Sequence, residues 1–197
     1  IDHSFNNRSC VLSDNIGGLK LLVDAACQKG HRKIAYVHGE KSSVTENRII
    51  GFYRAMQEHG LSVNPDFVVE ALYDNPATSM QAVLNLMERP DPPTCILLPD
   101  DHSTLGALQA AKQLNLRVPE DLSLAGYDGI RLTQMLQPRL TTIEQDTKRI
   151  GAQAAEFLID RIENPRTAGS ETATIPVKLL EGESMGICPV KTDAANS

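Results

Sequence analysis

Side chains that can hold a polar ligand recur directly after short apolar segments of the sequence. Arg48 comes soon after one of these segments, Tyr73 after the next, and Asp100 and Asp128 after two later ones. An arginine presents a rigid fork of N–H donors, and a carboxylate accepts hydrogen bonds from paired hydroxyls. Together with an aromatic face, these groups are typical of a site for a sugar or a similar polyol ring.

The apolar segments alternate with amphipathic ones along the chain. Those between residues 33 and 127 are mostly continuous, as in strands covered on both faces, so they predict a parallel sheet. Apolar positions spaced three and four residues apart predict helices between the strands, with a start at Asn75 and stops at Gly30 and Gly60. This order indicates an α/β domain with a three-layer parallel sheet. The predicted strands span residues 9–12, 33–38, 67–72, 94–98, 122–127, 140–143 and 173–180.

Residues that follow each strand are candidate site residues, because open parallel sheets bind ligands outside the carboxyl ends of their strands. An aspartate at such a position can instead cap the next helix. We interpret Asp14, Asp101 and Asp146 as N-caps. Asp128 lies in a Tyr-Asp-Gly turn where a cap is less needed, which favours contact with a ligand. For Arg48, the spacing alone leaves a ligand contact and a surface ion pair equally open.

Enzyme motifs are matched only in part. The segment 182–186 fits the GxSxG pattern, but a nucleophilic serine of this type is followed by an acid and a histidine, and the last histidine is His102. GEKS at 39–42 lacks the glycine that directly precedes the lysine of a phosphate-binding loop. The histidines show no metal-ligand spacing. We therefore expect no catalytic residue, no metal and no cofactor, and we interpret the chain as a binding protein rather than an enzyme.

Composition excludes several other classes of protein. The chain has 197 residues and a formal net charge of −6, without a long basic run, so it is a poor binder of nucleic acid by itself. No apolar run approaches the ~18 residues of a membrane span, and the N-terminus has no apolar signal core. The cysteines at 10, 27, 95 and 188 form no CxxC pair, which favours reduced, structural thiols in a cytoplasmic protein.

Several motifs, in order and at their spacing, resemble the lactose/galactose-repressor (LacI/GalR) family of bacterial transcription regulators. The resemblance runs from about residue 8 to about residue 184. Each motif is weak alone, and together they are highly specific. They are DNIGG at 14–18, KGHRKIA at 29–35, RIIGF at 48–52, VPEDLSLAGYD at 118–128 and LTTIEQD at 140–146.

The resemblance implies a type I periplasmic-binding-protein-like fold, in which two α/β subdomains hold an effector in the cleft between them. Family effectors are commonly sugars and sometimes purines. By position, Arg48 and Asp128 match the arginine and aspartate that hold the effector, and Asp100 falls where members often have Asn or Asp. Tyr73 lies near the aromatic residue that stacks on the effector. The other implied positions are Ser42, Ser43 and Glu46 in the specificity loop and Gln145 at the crossover between subdomains.

The resemblance also implies a division of the chain. Residues 14–143 are expected to form the C-terminal subdomain, with a return strand at 173–184, whereas the helix at 146–163 belongs with an N-terminal subdomain that is mostly missing. Residues 187–197 are expected to be a disordered tail. The start at Ile1, without the family's DNA-binding headpiece, indicates a fragment of a longer homodimeric protein. That protein is expected to bind operator DNA through the absent domain, and the uncovered apolar stripe of the 146–163 helix is expected to favour self-association.

Two alternatives come from other classes. An extracytoplasmic sugar-binding protein of a transport system shares the fold, but it would carry a signal peptide before this sequence. The run LTTIEQD at 140–146 favours the regulator. A sugar-active enzyme is disfavoured because no nucleophile and base can be paired. A DNA-binding module that follows the C-terminus is also left open.

Overall fold

The computed structural model describes residues 9–165 and 169–189 and contains eight strands and five α-helices within them. The strands are β1 (Cys10–Ser13), β2 (Ile34–His38), β3 (Val68–Glu70), β4 (Cys95–Leu97), β5 (Ser123–Asp128), β6 (Thr141–Glu144), β7 (Thr172–Ile175) and β8 (Lys178–Leu180). The helices are α1 (Asn15–Gln28), α2 (Ser43–Glu58), α3 (Pro76–Met87), α4 (Asp101–Gln113) and α5 (Thr147–Glu163). Short 3-10 helices at Pro65–Phe67 and Arg131–Met135 lie in connections.

Six of the strands form one sheet in the order β3-β2-β4-β5-β6-β8. The first five are parallel, and β8 pairs antiparallel with β6 at the edge. One apolar core joins this sheet to α1 and α2, and a second core joins the opposite face to α3 and α4. The predicted three-layer parallel architecture is confirmed.

The apolar strands lie between these two cores because their alternate side chains enter opposite faces. On β2, Tyr36 enters the core with α1 and α2, whereas Ala35 and Val37 enter the core with α3 and α4. All three residues are fully buried. A strand covered on both faces has no solvent face that would need polar residues, which explains its continuous apolar sequence.

Helix ends follow local chemistry. Asp14, Asn75 and Asp146 accept hydrogen bonds from the first-turn backbone N–H groups of α1, α3 and α5, as predicted. Gly30 and Gly60 follow α1 and α2 with φ of 89° and 66°, a left-handed conformation that glycine adopts without steric cost.

The interpretation of Asp101 as a cap is wrong. Asp100 caps α4, and its carboxylate accepts from Ser103 N at 2.7 Å. Asp101 is the first residue of the helix and is buried against the strand edge, where it accepts from Thr142 Oγ1 at 2.6 Å and Ile130 N at 2.8 Å. Adjacent aspartates look equivalent in sequence, and only the extended backbone at Asp100 (φ −158°, ψ 172°) decides which one caps.

Replacing Asp14 with alanine is expected to lower the free energy of unfolding by about 1 kcal/mol, because Gly17 N loses the acceptor that lies 2.8 Å away. Urea denaturation followed by circular dichroism measures the change. Asp14→Asn is the matched control, since it keeps an acceptor oxygen at the cap. A loss of the same size in both variants would contradict the capping role.

A second, two-stranded sheet pairs β1 with β7 in parallel, and α5 contacts both strands. The predicted strand at 173–180 is therefore wrong as one element: residues Pro176 and Val177 separate β7, in the small sheet, from β8, in the large one. None of the residues of α5 is fully buried, and Leu158, Ile159 and Ile162 are exposed. The chain thus passes between the two sheets at 13–15, 144–147 and 175–178.

The remaining features of the described residues are the C-terminal segment and the four cysteines. Of the predicted tail, residues 187–189 are described, and Cys188 N donates to Lys29 O at 2.8 Å; residues 190–197 lie outside the described residues. All four cysteines are free thiols, and all except Cys188 are buried.

Candidate functional site

Arg48 forms the centre of a polar cluster at the carboxyl edge of the large sheet. It lies in the second turn of α2, and only 3% of its surface is exposed. Its Nε donates to Asn15 Oδ1 at 2.9 Å, and its Nη1 donates to Pro99 O at 2.7 Å. The guanidinium carbon stacks 3.5 Å from the ring centroid of Tyr127. These contacts exclude the surface ion pair that the spacing had left open.

Asp128 ends β5 and faces this guanidinium, with its Oδ1 4.0 Å from Arg48 Nη2. Its side chain is 36% exposed, and Gln145 Nε2 donates to Oδ1 at 2.7 Å. Burial raises the pKa of Asp128 to about 6, the nearby carboxylates of Asp101 and Asp100 add to that rise, and Arg48 and Gln145 oppose it. The pair therefore offers a fixed cation beside a carboxylate whose pKa is raised to about 6.

The backbone of Asp128 has a φ of 109°, which non-glycine residues rarely adopt. Such a conformation persists only where its surroundings hold it. Here Gln145 N donates to the Asp128 carbonyl at 3.4 Å and the Gln145 side chain holds the carboxylate. These two hydrogen bonds from Gln145 hold both the backbone and the carboxylate of Asp128 in place.

Asp100 and Asp101 lie near the cluster, at the start of α4. Both oxygens of Asp100 are engaged, because Oδ1 accepts from Ser103 N and Oδ2 accepts from Ser103 Oγ and Asp74 N. The bond to Asp74 ties the loop after β3 to the start of α4. The pKa of Asp101 is raised overall, because the effect of burial exceeds the opposing effect of the hydrogen bonds from Thr142, Ile130 and Thr133.

Tyr73 forms a wall of the same edge. The centroid of its ring lies 6.0 Å from the guanidinium carbon of Arg48. The ring packs on Gly39, where a Cβ would lie 2.0 Å from the Tyr73 Cε2, and its hydroxyl bonds Thr45 Oγ1 at 2.9 Å. Beside it, Ser42 caps α2, and the first turn of that helix presents half-buried Ser43 and exposed Glu46.

The structure brings Arg48, Asp128 and Gln145 into contact and places Tyr73 beside Arg48. Asp100, Ser43 and Glu46 lie at the same edge of the sheet, because each follows the carboxyl end of a parallel strand. Sequence reasoning missed Tyr127, Asn15 and the Pro99 carbonyl, which are direct partners of Arg48. Two positions could have indicated these partners: Asn15 follows closely after β1, and Tyr127 lies near the carboxyl end of β5.

The serine of the GxSxG match has a structural role. Ser184 is fully buried; its Oγ donates to Leu124 O at 2.7 Å and accepts from Thr141 N at 2.9 Å. Within residues 9–165 and 169–189, no three histidine, cysteine, aspartate or glutamate side chains are grouped as metal ligands. In the same part of the chain, no helix is long and apolar enough to cross a membrane.

Comparison with known proteins agrees with this fold. The model of a family described as "Periplasmic binding protein-like domain" matches residues 23–185. The ribose operon repressor of Haemophilus influenzae is 36% identical over 160 residues, which are 81% of this chain and 48% of that protein. The PurR transcriptional repressor of Aliivibrio salmonicida is 39% identical over 138 residues, or 70% of this chain and 41% of that protein. The chain belongs to the LacI/GalR family of transcriptional regulators and spans about half the length of these curated relatives.

Solved structures of the same family superimpose closely. A LacI transcriptional regulator from a Rhodococcus species has a TM-score of 0.85 and 27% identity, with 92% of this chain and 66% of that chain covered. The regulator CelR in complex with cellobiose has a TM-score of 0.84 and 27% identity, with coverages of 90% and 54%. A LacI family regulator from Enterococcus faecium with bound ribose has a TM-score of 0.82 and 25% identity, with coverages of 93% and 67%.

Proposed function

We propose that this chain is the effector-sensing part of a bacterial transcriptional regulator, and that the effector binds to the Arg48–Asp128 pair. The observation that carries the proposal is the buried guanidinium, stacked on Tyr127 and held 4.0 Å from a partly exposed carboxylate at the ligand-binding edge of the sheet. Such a pair gives adjacent hydroxyls both a donor and an acceptor.

A small polyhydroxylated molecule, a sugar in the first instance, fits this chemistry best. Two structural neighbours are described with bound ribose and with cellobiose, and a sequence relative is a ribose operon repressor. Tyr73 supplies an aromatic wall, and Ser43 and Glu46 supply polar groups at the rim. Asp100 and Gln145 act mainly through the protein, since their polar atoms are already engaged.

The regulatory part of the proposal concerns the whole protein. The effector would occupy the cleft between this subdomain and its N-terminal counterpart in a cytoplasmic homodimer. It would shift the dimer between states of different affinity for operator DNA, by an amount equal to its differential affinity for those states. The repressor names of the matched relatives favour this role over a transport protein and over an enzyme.

Isothermal calorimetry on the full-length protein tests the proposal with D-ribose, cellobiose, ribose 5-phosphate and hypoxanthine. We expect saturable binding of at least one of the two uncharged sugars, and operator affinity that changes when that sugar is added. Binding of hypoxanthine alone would redirect the proposal to a purine effector. Failure of all four compounds to bind would contradict a sugar or purine sensor.

A further inference from the structure

The Arg48–Asp128 pair belongs to a continuous loop of polar contacts. Ser13 Oγ donates to Gln145 Oε1, and Gln145 Nε2 donates to Asp128 Oδ1 at 2.7 Å. Asp128 faces Arg48 at 4.0 Å, and Arg48 Nε donates to Asn15 Oδ1 at 2.9 Å. Asn15 Nδ2 donates to Ser13 O at 3.1 Å, which closes the loop. We call these five residues the polar ring.

The polar ring lies where the chain passes between the two sheets. Ser13 ends β1 in the small sheet, and Asn15 begins α1 on the large one. Gln145 occupies the return passage between β6 and α5. The third passage is joined to the first by a hydrogen bond from Asp14 N to Ile175 O at 2.9 Å. The ring therefore connects the Arg48–Asp128 pair to the passages at 13–15 and 144–147.

Most members of the polar ring are buried, so water cannot easily replace a hydrogen bond that one of them loses. Ser13, Asn15 and Arg48 are each at most 4% exposed. Water cannot readily replace a partner that a buried polar group loses, so we expect a change at one member to alter the hydrogen bonds of the next. Networks of this kind respond as units, and double-mutant cycles measure their coupling.

We propose that Gln145 and Asn15 are positioning residues that hold Asp128 and Arg48 in place and couple this pair to the passages at 13–15 and 144–147. A ligand that draws Asp128 or Arg48 towards itself then changes the hydrogen bonds of both passages. The ligand step rests on the proposed function, whereas the coupling is a property of the chain without ligand.

Hydrogen–deuterium exchange of the ligand-free chain tests the coupling through a double-mutant cycle. Asp128→Ala and Gln145→Leu are each expected to speed exchange of the amides at 10–15 about tenfold, and the double variant is expected to match the single ones. Multiplied effects in the double variant, or unchanged exchange at 10–15 in Asp128→Ala, would overturn the proposal. Gln153→Leu, the same substitution at a position on α5, is the matched control and is expected to leave these amides unchanged.

A second measurement, the pKa of Asp128, distinguishes a positioning role of Gln145 from a general contribution to stability. Gln145→Leu removes a donor to the Asp128 carboxylate, so the pKa of Asp128, followed by carbon NMR, is expected to rise. Gln145→Ala, which also removes this donor without adding a charge, provides the test if Gln145→Leu does not fold. An unchanged pKa of Asp128 in the folded variant would contradict the positioning role.

The ligand arm uses D-ribose with the full-length protein. If ribose binds, it is expected to alter exchange at 10–15 in the wild type and not in Gln145→Leu; an equal change in both would overturn the coupling. If none of the four compounds binds, the proposed function fails, and the polar ring is still decided by the ligand-free cycle.

Discussion

Replacing Arg48 with alanine is expected to weaken effector binding by at least about 2 kcal/mol, or roughly 30-fold in dissociation constant. The guanidinium is the one cation that contacts Asp128, Asn15 and the Pro99 carbonyl among the residues that the structure describes. Its removal takes away the donor to the ligand and also removes the hydrogen bonds that Arg48 gives to the buried Asn15 side chain and the Pro99 carbonyl. Calorimetric titration with the sugar identified by the panel measures the loss.

The control for this variant is Arg54→Ala, which removes an exposed arginine from the same helix. It is expected to leave the affinity within about twofold. Because Arg48→Ala also lowers stability, both variants are compared at a temperature where circular dichroism shows them folded. An Arg48→Ala protein that is folded and keeps the wild-type dissociation constant would remove Arg48 from the site.

Effector affinity is expected to fall about tenfold between pH 7.5 and pH 5.0. The pKa of Asp128 is raised to about 6, primarily by burial, so the carboxylate is almost fully ionised at pH 7.5 and about one-tenth ionised one unit below its pKa. If the ionised form accepts the ligand hydroxyls, the affinity follows the ionised fraction. The loss therefore appears as the pH falls through about 6 and is restored on return to pH 7.5.

The control for this profile is a variant that lacks the titratable carboxylate, since Arg48 stays charged throughout this range. Asp128→Asn carries a side chain of the same shape that does not titrate, so its affinity is expected to be weaker and independent of pH. A wild-type affinity that stays constant from pH 7.5 to pH 5.0 would show that the ligand does not use the ionised carboxylate.

Much of the fold could be predicted because it is determined locally. The continuous apolar segments at 33–38 and 122–127 require cover on both faces, and this requirement is enough to predict a parallel sheet. Asp14, with its acceptor just before an amphipathic segment, caps α1 wherever the helix is placed. Since parallel strands share one carboxyl edge, Arg48 and Asp128 could be assigned to the same edge without knowing the strand order.

Other features could not be predicted because they depend on contacts between distant segments. The sequence 173–180 reads as one apolar strand, yet its two halves pair with β1 and β6 in different sheets. Asp100 and Asp101 have the same chemistry, and the surrounding backbone determines the partner of each. Asp100 caps α4, whereas Asp101 accepts a hydrogen bond from the Thr142 hydroxyl on β6.

The sequence by itself determined the class of fold and the edge of the sheet at which Arg48 and Asp128 lie, since periodicity, capping and strand direction are encoded over a few neighbouring residues. The role of Arg48 in ligand binding was implied only by the family resemblance. The tertiary structure alone decided that Tyr127 lies under Arg48, that Asn15 fixes the guanidinium and that Gln145 joins Ser13 to Asp128. Each of these contacts joins residues 17 or more positions apart. The geometry of these contacts follows from how the two sheets and their connecting segments pack, which local sequence patterns do not contain.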